Sequence, residues 1–83
     1  MTNEERLEKA HRDYPPGTIF DSTGGNTNCR VAENSIFKLE STGAIAVMIP
    51  EVYIGRVYNA YENKWAKIIS SPKPKELINY EIY

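Results

Sequence analysis

Residues 29–69, CRVAENSIFKLESTGAIAVMIPEVYIGRVYNAYENKWAKII, decide the fold, because short β-branched and aromatic runs recur there at even spacing with turn formers between them. The runs are 29–32, 35–40, 44–49, 52–58 and 64–69, separated by Glu33-Asn34, Ser41-Thr42-Gly43, Pro50-Glu51 and residues 59–63. Connections this short leave no room for the crossover helices that parallel pairing needs, so the pattern predicts an antiparallel meander. Closing such a meander into a small barrel removes its exposed edges.

Working outward towards the amino terminus, residues 22–28 are Ser, Thr, Gly, Gly, Asn, Thr and Asn, a loop composition, and residues 18–21 form a further strand. Residues 2–14 read as a helix: Thr2 and Glu5 have the spacing of a capping box, and Glu4, Glu5 and Glu8 suit the positive end of the helix dipole. Pro15 and Pro16 stop it, and Gly17 completes the turn into the strand. Only Leu7, Ala10 and Tyr14 form an apolar stripe, so the helix is expected to act as a lid or plug on one flank of the sheet. Towards the other end, residues 70–76 contain Pro72 and Pro74 and read as a stiff extended linker. In residues 77–83, Ile78, Tyr80 and Ile82 alternate with Asn79 and Glu81, the pattern of a strand with one buried face. That strand either returns to its own sheet or adds to a neighbouring chain, which makes Ile78, Tyr80 and Ile82 candidate oligomer contacts.

The 83 residues fit one domain, residues 1–83, with little core to spare. A hydrophobic share of 41%, a charged share of 25% and a net charge of −1 are those of a folded soluble domain, not a disordered one. The apolar run 44–49 is far too short to cross a bilayer, and the acidic, helical start is unlike a secretion signal. Cys29 is the single cysteine, so no internal disulfide can form, and a cytoplasmic location is expected with no membrane partner.

Tyrosines, the lone tryptophan and cations interleave between residues 53 and 69, and this is the candidate working surface. Charge is distributed in the same sense: residues 1–51 carry five cations and eight carboxylates, residues 52–83 five and three. Arg56, Tyr58, Tyr61, Lys64, Trp65 and Lys67 are therefore the candidate ligand- or partner-binding residues, since bases stack on aromatic faces while cations neutralise phosphate. The plainer alternative is that Tyr58, Trp65 and Ile68 are core, with lysines snorkelling at the rim. An acidic overall pI of about 5.8 also runs against a dedicated nucleic-acid binder. Trp65 is expected to be inward or half-buried, because so small a domain can hardly leave its largest apolar group in water.

Tyr14-Pro15-Pro16-Gly17-Thr18-Ile19-Phe20 after a helix, then Ser35-Ile36-Phe37, then Lys64-Trp65-Ala66-Lys67-Ile68-Ile69, resemble a group of small, mostly uncharacterised domains of Bacteroidetes and their phages with a YPxGTxF opening and a WAxII close. The resemblance covers most of residues 7–69. It implies a Src-homology-3-like barrel and a setting in phage or mobile-element proteins, sometimes as an appended module, and it implies no activity. The 22–28 loop and the residues after Pro72 lie outside that pattern.

Catalytic chemistry finds few materials. His11 is the single histidine and sits among Glu8, Lys9 and Arg12 on the helix, so it reads as a solvated side chain and not a general base. Cys29 has no histidine near it in sequence and reads as a partly buried strand thiol. Asp21-Ser22-Thr23-Gly24 has one residue too many for the active-site turn of an aspartic protease. Gly24-Gly25 lacks the lysine and the helix start of a phosphate loop, and one histidine with one cysteine cannot make a structural zinc site. The expectation is a non-enzymatic interaction module, with no catalytic residue, metal or cofactor, that binds protein and oligomerises. The alternative is a binder of nucleotide or single-stranded nucleic acid, in a phage setting one that sequesters a nucleotide signal of host defence.

Overall fold

The chain starts with a helix because its first turn satisfies itself. In the computed structural model, which describes residues 2–25 and 28–72, α1 runs from Asn3 to Asp13 behind Thr2. The Thr2 hydroxyl accepts from the Glu5 N–H at 3.2 Å and the Glu5 carboxylate accepts from the Thr2 N–H at 3.0 Å. These bonds to the charged form hold the Glu5 carboxyl below its usual range. At the other end the Tyr14 N–H donates to the Ala10 carbonyl at 2.9 Å, and two prolines follow. Gly17, with φ +94°, then turns the chain and donates its N–H to Val31 at 2.8 Å.

The rest is β structure in two antiparallel sheets. Strands β1 (Ile19–Asp21), β2 (Cys29–Arg30), β3 (Ile36–Leu39), β4 (Ile45–Ile49), β5 (Val52–Asn59), β6 (Lys64–Trp65) and β7 (Lys67–Ser70) follow in chain order. One sheet is the meander β3-β4-β5-β6, and the other has the order β2-β1-β7. The domain is thus a small, mainly β, barrel-like meander with one short amino-terminal helix. The strand expected over 64–69 is two strands meeting at a corner. Ala66 is buried and its N–H donates to the Val57 carbonyl at 2.7 Å, so the chain pairs with β5 up to that point and with β1 beyond it. Ser70, Ser71 and Pro72, assigned to the linker, still run beside the start of β1: Ser70 pairs with Ile19 and the Ser71 hydroxyl lies 3.3 Å from that of Thr18. The rest of the linker and the strand expected at 77–83 lie outside the described residues.

The core gathers Ala10 from α1 and Tyr14 from its cap, Phe20 and Cys29 from the small sheet with Val31 just past it, Ile45, Val47 and Val57 from the meander, and Ala66 from the corner. Tyr14 stands edge-on to Phe20, with ring centroids 5.8 Å apart, and its hydroxyl donates to the Ala66 carbonyl at the corner between the sheets. On the far side the sheets meet at Gly55. The Ser22 hydroxyl accepts from the Arg56 N–H at 3.2 Å and from the Gly24 N–H at 3.1 Å, while the Cys29 thiol donates to the Ile54 carbonyl at 3.2 Å. A Cβ on Gly55 would stand 2.9 Å from Ser22 Oγ and 3.1 Å from Cys29 Sγ, so only glycine allows the seam to close.

Two outcomes follow from this packing. Gly55→Ala should destabilise the protein by about 1–3 kcal/mol, read as a lower urea midpoint at unchanged slope, because the methyl overpacks the seam. Burial, with Asp13 adding to it, pushes the Tyr14 phenol up from 10 to about 12. The unfolded chain gives up that proton near 10 and the folded chain only near 12, so the Tyr14 contribution to stability should be whole below pH 10 and be lost as pH rises from 10 to 12. Tyr14→Phe should remove this fall while costing about 1–2 kcal/mol at neutral pH for the orphaned carbonyl, both measurable by urea unfolding across pH.

Candidate aromatic and cationic interface

Two aromatic rings form the centre of the candidate surface because β5 and β6 pair there. Tyr58 and Trp65 are register partners, with ring centroids 4.8 Å apart and planes tilted by 57°. Neighbours across a sheet at that spacing gain contact beyond simple burial. The hairpin between them turns through Asn63, in the left-handed region at φ +53°, whose side-chain carbonyl accepts a hydrogen bond from the Tyr58 hydroxyl. Trp65 is half-buried and packs on the core.

The cations over these rings come from the helix. The Arg6 guanidinium lies 4.3 Å from the Tyr58 ring centroid and donates to the Gly43 carbonyl. Lys9 Nζ lies 4.6 Å from the Trp65 centroid and 2.6 Å from an Asp13 carboxylate oxygen. Arg6 and Lys9 are three apart, so one helix face delivers both charges to one aromatic pair. Between Arg6, Tyr58, Asn63 and Trp65 there is a shallow hollow of about 390 Å³.

The cations singled out from sequence are placed elsewhere. Arg56 turns to Glu40, with Nε 3.1 Å from Oε1 but out of line for a hydrogen bond, which is an ion pair on charge alone. Lys64 Nζ sits 3.0 Å from Glu62, and Lys67 stands opposite Asp21 across the β1–β7 ladder. Tyr61 projects from the β5–β6 turn, 88% exposed. Lys64, Trp65 and Lys67 do come together on one wall of a cleft of about 450 Å³, whose other wall is Asp21, Ser22, Thr23 and Gly25. Of the six proposed residues the structure therefore groups Tyr58 with Trp65 and Lys64 with Trp65 and Lys67, and leaves Arg56 and Tyr61 apart. Ile78, Tyr80 and Ile82 lie outside the described residues. Arg6 and Lys9 were missed; their shared helix face was the available signal, but which way that face docks is a tertiary fact.

Apolar side chains remain on the surface in two places. On the meander, Ile36, Met48 and Tyr53 are register partners in a row across β3, β4 and β5, and Ile36 and Tyr53 are exposed; Val52, also exposed, pairs with Ile49 on the opposite face. Burial still raises the Tyr53 phenol, against the opposing pull of Arg56. On the other sheet every residue of β7 is exposed, Ile68 and Ile69 included. Groups with catalytic potential are engaged otherwise: His11 stacks edge-on to Phe37 at 4.5 Å, and burial pushes the Cys29 thiol up. Among the described residues no group of three or more histidine, cysteine, aspartate or glutamate side chains could hold a metal ion.

Arg6→Ala removes a cation over a ring and a donor to a backbone carbonyl, and should cost about 1–2 kcal/mol in thermal unfolding; Arg6→Lys should recover only part of this, since an ammonium lacks the planar fork. Comparison of the chain with family models, with curated proteins and with solved structures gives no match.

Proposed function

We propose that this domain is a non-enzymatic interaction module, a Src-homology-3-like small barrel of phage or mobile-element type that binds protein and self-associates. The observation that carries this reading is the apolar surface left on both sheets: the row Ile36–Met48–Tyr53, and the exposed strand β7 with Ile68 and Ile69. Side chains of this kind gathered in rows, unlike single exposed leucines, mark places where another surface is excluded from water. Tyr53 adds a large flat group with a polar tip, a composition that interfaces favour.

A second reading, a binder of nucleotide or single-stranded nucleic acid, is favoured by the cleft beside Trp65. It offers an indole edge with Lys64 and Lys67, the combination that holds a base and its phosphate. Against it, Glu62 and Asp21 stand next to those two lysines and cancel their charge.

Raising salt separates the two. Self-association through apolar surface should persist in sedimentation at high salt, and capture of a protein partner on the meander row should weaken on Ile36→Lys or Tyr53→Lys, with circular dichroism unchanged. Strict monomer behaviour in low and high salt alike, with no bound protein partner, would overturn the first reading. A nucleotide retained in native mass spectra, lost at high salt and in Lys64→Ala and Lys67→Ala, would establish the second.

A further inference from the structure

The core is open along one edge. Ile68 of β7 is the register partner of Phe20, and directly opposed residues of an antiparallel pair share a face of the sheet. Phe20 is wholly buried on that face, yet Ile68 is 37% exposed. The difference lies in their neighbours: β1 is flanked by β2 and β7, whereas β7 has β1 on one side and no strand on the other among the described residues. An inward-facing isoleucine in water and a row of unpaired backbone groups are the two marks of a strand site awaiting an occupant. The other long edge, β3, is flanked by α1, where His11 covers Phe37.

Residues 77–83, LINYEIY, have the sequence such a site needs. Ile78, Tyr80 and Ile82 would lie on one face, where Ile68 needs cover. The path of the chain decides whose edge it reaches. After β7 the chain continues straight alongside the start of β1, with Ser71 beside Thr18 and Pro72 Cγ 3.5 Å from where a Cβ on Gly17 would be. To return to its own β7 it would have to reverse within 72–76, and the spaced prolines of that sequence, Pro72 and Pro74, favour an extended course over a tight reversal. An extended run of that length would span roughly 15 Å, enough to carry the following segment to a second copy.

We propose that residues 77–83 of one chain add as a strand to the β7 edge of a second copy, and that two copies exchange these segments about a two-fold axis. The arrangement is closed and uses one edge and one segment from each copy. It rests on the self-association reading above and names its contact.

Two variants and their mixture test it. The full chain should have the native mass of a dimer. Ile78→Asp with Ile82→Asp spoils the segment, and Ile68→Asp spoils the edge, with Ile69→Lys as a gentler edge variant should Ile68→Asp lose its circular dichroism. Each should be monomeric alone. Mixed, an edge variant and a segment variant retain one good edge and one good segment between them and should give back a heterodimer. Monomeric variants that form no heterodimer would overturn the exchange in favour of a segment bound to its own chain. A dimer persisting in both variants would overturn this contact while leaving self-association through the Ile36–Met48–Tyr53 row standing, and a monomeric full chain would overturn both.

Discussion

The hydrogen bond from the Tyr14 hydroxyl to the Ala66 carbonyl ties the helix to the corner between the two sheets. Tyr14 is the cap of the helix, Ala66 is the corner at which the chain leaves one sheet for the other, and the ring between them packs on Phe20. A phenol buried to 2% exposure needs a partner, and the Ala66 carbonyl supplies it. Once that bond is made the helix orientation follows, and with it the placement of Arg6 over Tyr58 and Lys9 over Trp65. The aromatic pair is thus a docking post for the helix as much as a surface for a partner.

Gly55 completes the enclosure from the opposite side. Its missing side chain lets Ser22 and Cys29 approach β5, and the Ser22 hydroxyl accepts from the Arg56 N–H there and from the Gly24 N–H of its own turn. The Asp21-Ser22-Thr23-Gly24 turn is therefore structural: Thr23 also donates, through its N–H at 3.3 Å, to the Arg56 carbonyl. Pinning this loop forms one wall of the cleft beside Trp65, while β7, carried past β1 by the same corner, is left with one side bare. Closure of the core and exposure of the β7 edge are two results of one path through Ala66.

What could be read from sequence was local. Thr2 with Glu5, the double proline and Gly17 fix the helix and its end through contacts within a few residues, and the turn formers at 41–43 and 50–51 fix the meander. The break at Ala66 was illegible because nothing in KWAKII distinguishes one strand from two; a bond to Val57, nine residues back, makes the difference. The cation partners failed for the same reason. Arg56 looked available for Tyr58, being two residues away on one strand, but Glu40 from the end of β3 claims its charge. Arg6 and Lys9 are more than fifty residues from the rings they cover, and no pattern in the chain announces that pairing. Trp65 is half-buried, as its size led one to expect, and so it contributes to core and cleft together.

An interaction module of this size depends on surface it leaves unfinished, and here that surface is the edge of β7 with Ile68 turned inward. Hydrogen exchange of the β7 amides in the full chain, followed as protein concentration is raised, is the most direct test. Edge occupation by a second copy predicts that those β7 amides facing away from β1 become protected as concentration rises, in step with no change at the β4–β5 ladder. Exchange at those amides as fast as in an open loop at every concentration would contradict it.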